Sequence, residues 1–283
     1  MNVDDTSSEL IRLALREDLG GYGDVTSAWT VAPETRSEGF LVARDHAVIS
    51  GLDLAAAVLA EVDREAIFER LAADGSTVEP GAKLARLEGR ARSLLAAERT
   101  LLNMLAHLCG VATQARRFSD AVAGTAAVVV DTRKTTPGLR VWEKKAVRDG
   151  GCANHRFGLF DMVLIKDNHL VAGGGVGATV RRAREAAPFS MKVEVEVADE
   201  QGMREALASG ADIIMFDNVS GPELGRLVRL ARDLAPAVLL EASGRVSLET
   251  VRAIAESGVD IISSSKLTAG APPVDVGLDF DLS

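Results

Sequence analysis

From about residue 120 onward, short apolar runs alternate with segments whose apolar positions fall at helical spacing. The runs are AAVVV (126–130), MVLI (162–165), VEVEV (193–197), DIIMF (212–216), AVLLE (237–241) and VDIIS (259–263). Short runs of this kind, rich in Val and Ile, predict strands of a buried parallel sheet. Between them, DEQGMREALASGA and SLETVRAIAESGV carry helical periodicity and end in Ser-Gly just before the next strand, a helix stop. The result is a βα repeat with right-handed crossovers. It covers residues 111–266, well short of the roughly 250 residues of eight full βα units, so the expectation is an incomplete α/β barrel of six or seven parallel strands. An open doubly wound sheet is the alternative. Polar residues at the strand ends favour the barrel: Lys134, Lys166, Glu196, Asp217, Glu241 with Ser243, and Ser263 to Ser265 would ring one mouth, whereas an open sheet concentrates function at a single switch point.

The first 110 residues lack this rhythm. They read as an opening helix (SSELIRLALREDL), a loop (GGYGDVTS), strand-like segments (GFLVARDHAVISG and TVEPGAKLARLEG) and a long helix from about Ser93 to Leu108. The expected architecture is therefore α/β throughout: an N-terminal α/β sandwich (1–110), a catalytic barrel (111–266), and a tail (267–283) that returns to the first domain. The stretch around Lys83 superficially resembles half of a lipoyl-type hammerhead, but Lys83 does not sit at a hairpin tip, and a structural turn is the better reading.

Composition narrows the function. The 283 residues are 47% hydrophobic with a formal net charge of −9, which describes a globular core and argues against nucleic acid or an anionic membrane as a partner. Arg181, Arg182 and Arg184 read as a solvated helix face. Cys109 and Cys152 supply no disulfide framework, and His46, His107, His155 and His169 have no zinc-ligand spacing with either. The N-terminal segment lacks a signal-peptide core and no apolar run reaches the roughly 18 residues of a membrane span, so a reducing cytoplasm is the expected compartment. AGGGVGA (172–178) begins too far past Ile165 for a phosphate loop and reads as a flexible βα loop.

The chemistry concentrates between Asp131 and His169, in DTRKTTPGLRVWEKKAVRDGGCANHRFGLFDMVLIKDNH. Arg, Lys and His gathered there on an otherwise acidic protein point to a site built for negative charge. Lys166 at a strand end would also suit a Schiff base, as in a class I aldolase, yet that chemistry has no use for Thr-Arg-Lys and Asn-His-Arg clusters together. A non-catalytic ligand sensor is the rival from another class, and would bind without turnover.

The ordered set AERTLLNMLAHLCGVAT, DTRKTTPGLRVWEKKAV, GGCANHRFGLFDMVLIKDNH, VEVEV, FDN and EASG resembles the quinolinate phosphoribosyltransferase family, over nearly the whole chain from REDLGGYGDVTS to VDVGLDFDL. The resemblance implies an N-terminal sandwich joined to an incomplete barrel, and a homodimer with sites near the subunit interface. It implies transfer of phosphoribosyl from 5-phosphoribosyl 1-pyrophosphate to quinolinate, with decarboxylation to nicotinate mononucleotide. On the same basis Arg133, His155, Arg156 and Lys166 hold quinolinate with Thr132 nearby, and Arg99 is supplied across the interface. Lys134 faces the pyrophosphate end. Glu196 and Asp217 form an acidic pair that orients ribose, holds Mg²⁺ through water or stabilises developing positive charge, and Ser243, Gly244 and Ser265 bind the 5-phosphate. The segment Ser263 to Gly270 departs from the family pattern, with a Gly and a His replaced. A fold relative associated with molybdenum transport is the alternative, but it would not be expected to keep the NHR and IKDNH patterns present here.

Overall fold

The computed structural model describes residues 4–219 and 221–280. Its elements begin with α1 (Asp5–Leu19), α2 (Val25–Thr30), β1 (Arg36–Ala43), β2 (Ala47–Val48), α3 (Leu52–Val62), β3 (Ile67–Arg70), β4 (Thr77–Val78), β5 (Lys83–Arg90) and α4 (Ala91–Ala121). The βα series follows with β6 (Val128–Val130), α5 (Arg140–Asp149), β7 (Val163–Ile165), α6 (Asp167–Gly173), α7 (Val176–Ala186), β8 (Val193–Val197) and α8 (Glu200–Ala208). It continues through β9 (Ile213–Asp217), α9 (Gly221–Leu234), β10 (Leu239–Ser243), α10 (Val251–Ala255) and β11 (Ile261–Ser263), and the chain closes with β12 (Val276–Phe280).

The chain forms two compact units. The first comprises residues up to Arg116, Thr135–Gly151 and Gly270 onward. Its sheet runs β12-β1-β5-β3 and is antiparallel, with Leu41 opposite Leu278 and Phe40 opposite Arg86. Helix α1 starts where the Asp4 carboxylate accepts the Ser7 N–H at 2.8 Å, an N-cap that satisfies an otherwise orphan donor. Helix α3 buries Leu52, Leu54, Ala55, Val58 and Leu59. It ends at Asp63, whose buried carboxylate takes the Arg90 fork at 2.9 and 2.8 Å. Thr135–Gly151, read from the sequence as part of 111–266, lies in this unit because Trp142 is buried and donates to Ser7 Oγ at 2.7 Å, and Lys145 bridges Asp74 and Asp149. Of the tail, residues 281–283 lie outside the described residues.

Helix α4 outlasts its expected end at Leu108 by several turns, because Val111, Ala112, Ala115 and Phe118 continue a fully buried stripe. Gly110 sits inside it for a steric reason: a Cβ there would lie 2.2 Å from the Pro272 carbonyl oxygen. Lys83, on β5, stacks its ammonium 3.4 Å from the centre of the Phe40 ring.

The second unit, Arg117–Lys134 and Cys152–Ala269, holds a six-stranded parallel sheet in the order β6-β11-β10-β9-β8-β7. Five strands follow chain order, and the first strand of the series pairs with the last, so the sheet curls back on itself as a barrel does. An open doubly wound sheet would put its earliest strand in the interior. Between β6 and β7 the ladder is not closed; a single bridge joins Val130 to Ala153. This is the incomplete barrel, with six strands among the described residues. Val195, Ile214, Phe216, Leu240 and Ile262 are fully buried in it. The glycine-rich stretch is not a loose loop: Gly173 ends α6, and Gly174 and Gly175, at φ 83° and 97°, turn the chain into α7. Arg181, Arg182 and Arg184 are exposed on that helix.

Candidate active site

Parallel register fixes which residues reach the carboxyl end of the sheet together. Ser263 pairs with Val130, Ser243 with Asp217, and Glu196 with Met215, so the residues that follow these strands emerge at one rim. Two adjoining cavities open there, sharing Thr132, Lys134, Lys166, Ser243 and Ser263 in their walls. The smaller, about 290 Å³, also takes Arg133, His155 and Arg156. The larger, about 700 Å³, takes Glu196, Asp217, Gly244 and Ser265. All the site residues read from the sequence thus line one cavity or the other, except Arg99. That residue lies on α4 in the first unit, largely exposed, with its guanidinium 3.9 Å from Glu98.

The loop after β6 is held in a defined shape. Thr132 Oγ1 accepts the Lys134 N–H at 3.0 Å, and Thr268 Oγ1 donates to the Lys134 carbonyl at 2.8 Å. Behind it, the fully buried Asp131 carboxylate accepts Asn154 Nδ2 at 2.6 Å and the His155 backbone N–H at 3.0 Å, tying this loop to the Asn154–Arg156 segment. Arg156 donates Nη1 to the Met162 carbonyl at 3.1 Å. Burial first, and then the charge of nearby Arg133, hold the Arg156 pKa below its usual value. Two guanidiniums that repel one another in a partly buried cavity are a receptor for anionic groups, which relieve that repulsion on binding.

On the other side Lys166 Nζ lies 3.0 Å from Glu196 Oε2, and Asp217 accepts Asn218 Nδ2 at 2.6 Å. Glu196 and Asp217 end adjacent strands and face the larger cavity. Among the described residues, the group of three ligating side chains close enough to cage an ion is instead His155, Glu194 and Glu241. Glu196 and Asp217, two carboxylates on one cavity wall, have the donor chemistry for an ion of the Mg²⁺ type, which binds through one or two carboxylates and keeps waters and phosphate oxygens as its other ligands.

Past β10, Gly244 adopts φ 91°, and a Cβ there would fall 2.4 Å from Asn218 Oδ1 and 2.8 Å from its backbone nitrogen. Asn218 and Arg245, both at positive φ, shape the same rim. Backbone strain and close approach at a polar cavity mark a place where the chain is bent for a ligand. Ser265 opens a short 3₁₀ turn, while the neighbouring Ser264 hydroxyl is engaged with the Val246 carbonyl and the Lys266 N–H.

One expectation needs correction: Glu241 is not at the mouth; it precedes the strand end and is fully buried beside Glu194. His155 lines the smaller cavity, with Nε2 3.2 Å from Glu194 Oε2 and 3.3 Å from Glu241 Oε2, and Nδ1 2.8 Å from the Arg156 backbone nitrogen. Burial disfavours its imidazolium, but the two carboxylates outweigh that and push the pKa up to about 10. Burial, together with the charge of Glu241, pushes Glu194 up to about 7 against the opposing pull of His155. Sequence reasoning missed Glu194, Asn154 and the anchoring role of Asp131. The signal for Glu194 was present: period 2 in VEVEV puts Glu194 and Glu196 on one face of β8.

Comparison with known proteins shows the family. Residues 24–109 match the N-terminal domain, and residues 111–279 the C-terminal domain, of quinolinate phosphoribosyl transferase. A nicotinate-nucleotide pyrophosphorylase [carboxylating] of Mycobacterium leprae is 42% identical over 279 residues, covering 98% of both chains. A probable nicotinate-nucleotide pyrophosphorylase [carboxylating] of Synechocystis is 40% identical over 266 residues, covering 94% of this chain and 90% of its own. Among solved structures, the nicotinate-nucleotide pyrophosphorylase of Francisella tularensis superposes with a TM-score of 0.90 at 36% identity, over 98% of this chain and 96% of that one. That of Ehrlichia chaffeensis gives a TM-score of 0.91 at 33% identity, over 99% and 100%. With both domains matched in order and the strand-end residues gathered at one rim, the chain belongs to the quinolinate phosphoribosyl transferase family.

Proposed function

We propose that this chain transfers the phosphoribosyl group of 5-phosphoribosyl 1-pyrophosphate to the ring nitrogen of quinolinate, releasing pyrophosphate and carbon dioxide and leaving nicotinate mononucleotide for NAD biosynthesis. The observation that carries the reading is the convergence of Arg133, Lys134, Arg156 and Lys166 on the 290 Å³ cavity, a basic pocket sized for a small aromatic dicarboxylate on a protein of net charge −9.

In this reading Arg133, Arg156 and Lys166 hold the two carboxylates with Thr132 beside them, and His155 forms part of the wall. The larger cavity takes the second substrate, with its 5-phosphate against Ser243, Gly244 and Ser265 and its pyrophosphate toward Lys134. The ring nitrogen attacks the anomeric carbon as the bond to pyrophosphate breaks, so alignment and stabilisation of separating charge are the main demands. Glu196 and Asp217 orient the ribose hydroxyls and face the positive charge that develops at the anomeric carbon. They would also hold Mg²⁺ through water, and the ion would supply positive charge against the pyrophosphate oxygens. Lys166 exchanges its Glu196 partner for a substrate carboxylate. The pyridinium formed accepts the electron pair left at the adjacent ring carbon by departing carbon dioxide, and that carbon then takes a proton. No covalent nucleophile enters.

Two further parts of the reading rest on family membership: the working unit is a homodimer, and Arg99 of one subunit reaches the site of the other. A reducing cytoplasm suits Cys109 and Cys152, which are buried and not disulfide-bonded. Among the described residues no helix is long and apolar enough to cross a membrane.

Calorimetric titration tests the carrying observation. Quinolinate should bind at least about tenfold more tightly than nicotinate, since the second carboxylate adds a charge-assisted contact. Equal affinities would remove the dicarboxylate reading.

A further inference from the structure

The larger cavity is lined by the cations Lys134, Lys166, Arg245 and Lys266 and by the carboxylates Asp167, Glu196 and Asp217. Lys166 is engaged with Glu196 at 3.0 Å, and Lys134 belongs to the pyrophosphate end of the transfer. That leaves the 5-phosphate with the neutral donors of Ser243, Gly244 and Ser265, on a wall whose carboxylates repel it. Arg245 and Lys266 have no part in the transfer as described so far. Both are exposed, and among the described residues neither guanidinium nor ammonium enters a hydrogen bond or an ion pair. Glu249, which lines an adjoining cavity of about 400 Å³ with Arg245, does not pair with it either.

The two cations stand on neighbouring loops of one rim. Strands β10 and β11 are parallel and adjacent, with Glu241 opposite Ile261 and Ala242 opposite Ile262, so the chain leaves both at the same level. Arg245 follows Gly244 just past the end of β10, and Lys266 follows Ser265 just past the end of β11. Ser264 ties the two loops together: its buried hydroxyl donates to the Val246 carbonyl at 3.3 Å and accepts the Lys266 N–H at 3.2 Å. One side chain thus fixes both the residue after Arg245 and the turn that carries Lys266. Arg245 also holds φ 50°, a left-handed conformation that any residue with a Cβ adopts at a cost and glycine adopts freely. A long cationic side chain kept at such a position, with its charge unanswered, points to a ligand that answers it.

We propose that Arg245 and Lys266 clamp the 5-phosphate of 5-phosphoribosyl 1-pyrophosphate, adding two positive charges to the neutral donors of Ser243, Gly244 and Ser265. The proposal rests on the reading that the larger cavity takes this substrate. A guanidinium offers a phosphate two parallel N–H donors and an ammonium adds a compact charge, so the pair suits a dianionic group. The charges are divided by end: Lys134 faces the group that leaves, whereas Arg245 and Lys266 hold the end that does not react. Contacts at that end are made equally in the ground state and the transition state, so they set the KM for this substrate and leave kcat unchanged.

Calorimetry on wild-type protein, Arg245→Gly, Lys266→Gln and the double variant tests the clamp, with 5-phosphoribosyl 1-pyrophosphate, ribose 5-phosphate, pyrophosphate and quinolinate as ligands in the presence of Mg²⁺. Ribose 5-phosphate carries only the end in question, and pyrophosphate only the other. Each single variant should weaken ribose 5-phosphate and 5-phosphoribosyl 1-pyrophosphate about tenfold, and the double variant more than either, with pyrophosphate and quinolinate held within about twofold. Steady-state kinetics should show the same loss in KM for 5-phosphoribosyl 1-pyrophosphate at unchanged kcat. Unchanged ribose 5-phosphate affinity in either variant, or an equal loss for pyrophosphate, would overturn the proposal. So would wild-type protein that binds pyrophosphate and quinolinate but not ribose 5-phosphate. Wild-type protein that binds neither quinolinate nor 5-phosphoribosyl 1-pyrophosphate would instead refute the substrate reading on which the clamp rests.

Discussion

Individual residues were legible where the chemistry chose an unusual side chain for its place. Arg133, Lys134, Arg156 and Lys166 stand out because cations directly after buried strands need a reason, and the structure brings them to one cavity. Glu241 was hidden by the same logic run backwards, since a charged residue at the end of an apolar run reads as a strand end; for Glu194 the period-2 pattern gives its face of β8, and the structure shows both side chains fully buried. The orientation of His155 was equally out of reach, since it depends on contacts with Glu194, Glu241 and the Arg156 backbone. Gly244 offers a test at this scale. Alanine there would meet Asn218 backbone and side chain and would hold an unfavourable positive φ. Gly244→Ala should raise the KM for 5-phosphoribosyl 1-pyrophosphate by about tenfold or more through the ~1–3 kcal/mol cost of strain, with the quinolinate KM little changed. Steady-state kinetics in both substrates checks it, and an unchanged KM would take Gly244 out of the phosphate site.

At the scale of elements, periodicity found the strands of the barrel and most helices, because each buries one face and repeats its pattern. It erred where packing rather than local pattern sets the boundary, as in α4, which continues past Gly110 because Val111, Ala112, Ala115 and Phe118 extend its buried stripe. It also took the glycines after α6 for a loose loop, where two residues at positive φ suffice to turn one helix into the next. The junction of α3 and β5 carries a pH prediction. The Arg90 guanidinium beside buried Asp63, aided by the Glu65 N–H, holds the Asp63 carboxyl well below its ordinary value of 3.8. A depressed folded pKa contributes stability that is fully present above the unfolded value and is lost as pH falls through the folded one. Asp63→Asn should therefore destabilise the protein by about 1–2 kcal/mol at neutral pH, a figure reduced because Arg90 is half exposed. Urea denaturation as a function of pH should show that deficit shrinking below about pH 4; a deficit independent of pH would contradict the assignment.

For the molecule as a whole, the division into a sandwich and an incomplete barrel was legible because family motifs are spread in order along the chain, and both family domains match. The proposed sharing of Arg99 between subunits belongs to this scale. Arg99→Ala and Lys134→Ala proteins, each expected to lose at least about a hundredfold in turnover, should recover activity when mixed into heterodimers that pair one intact site. Verified heterodimers that stay inactive would place Arg99 outside the site. The central claim is the reaction itself. The most direct measurement is steady-state turnover of the purified protein with quinolinate, 5-phosphoribosyl 1-pyrophosphate and Mg²⁺, following nicotinate mononucleotide and carbon dioxide together, with nicotinate as a parallel substrate. The account predicts equal release of both products from quinolinate and none of the nucleotide from nicotinate; folded protein that makes no nucleotide from quinolinate, or makes it from nicotinate instead, would contradict it.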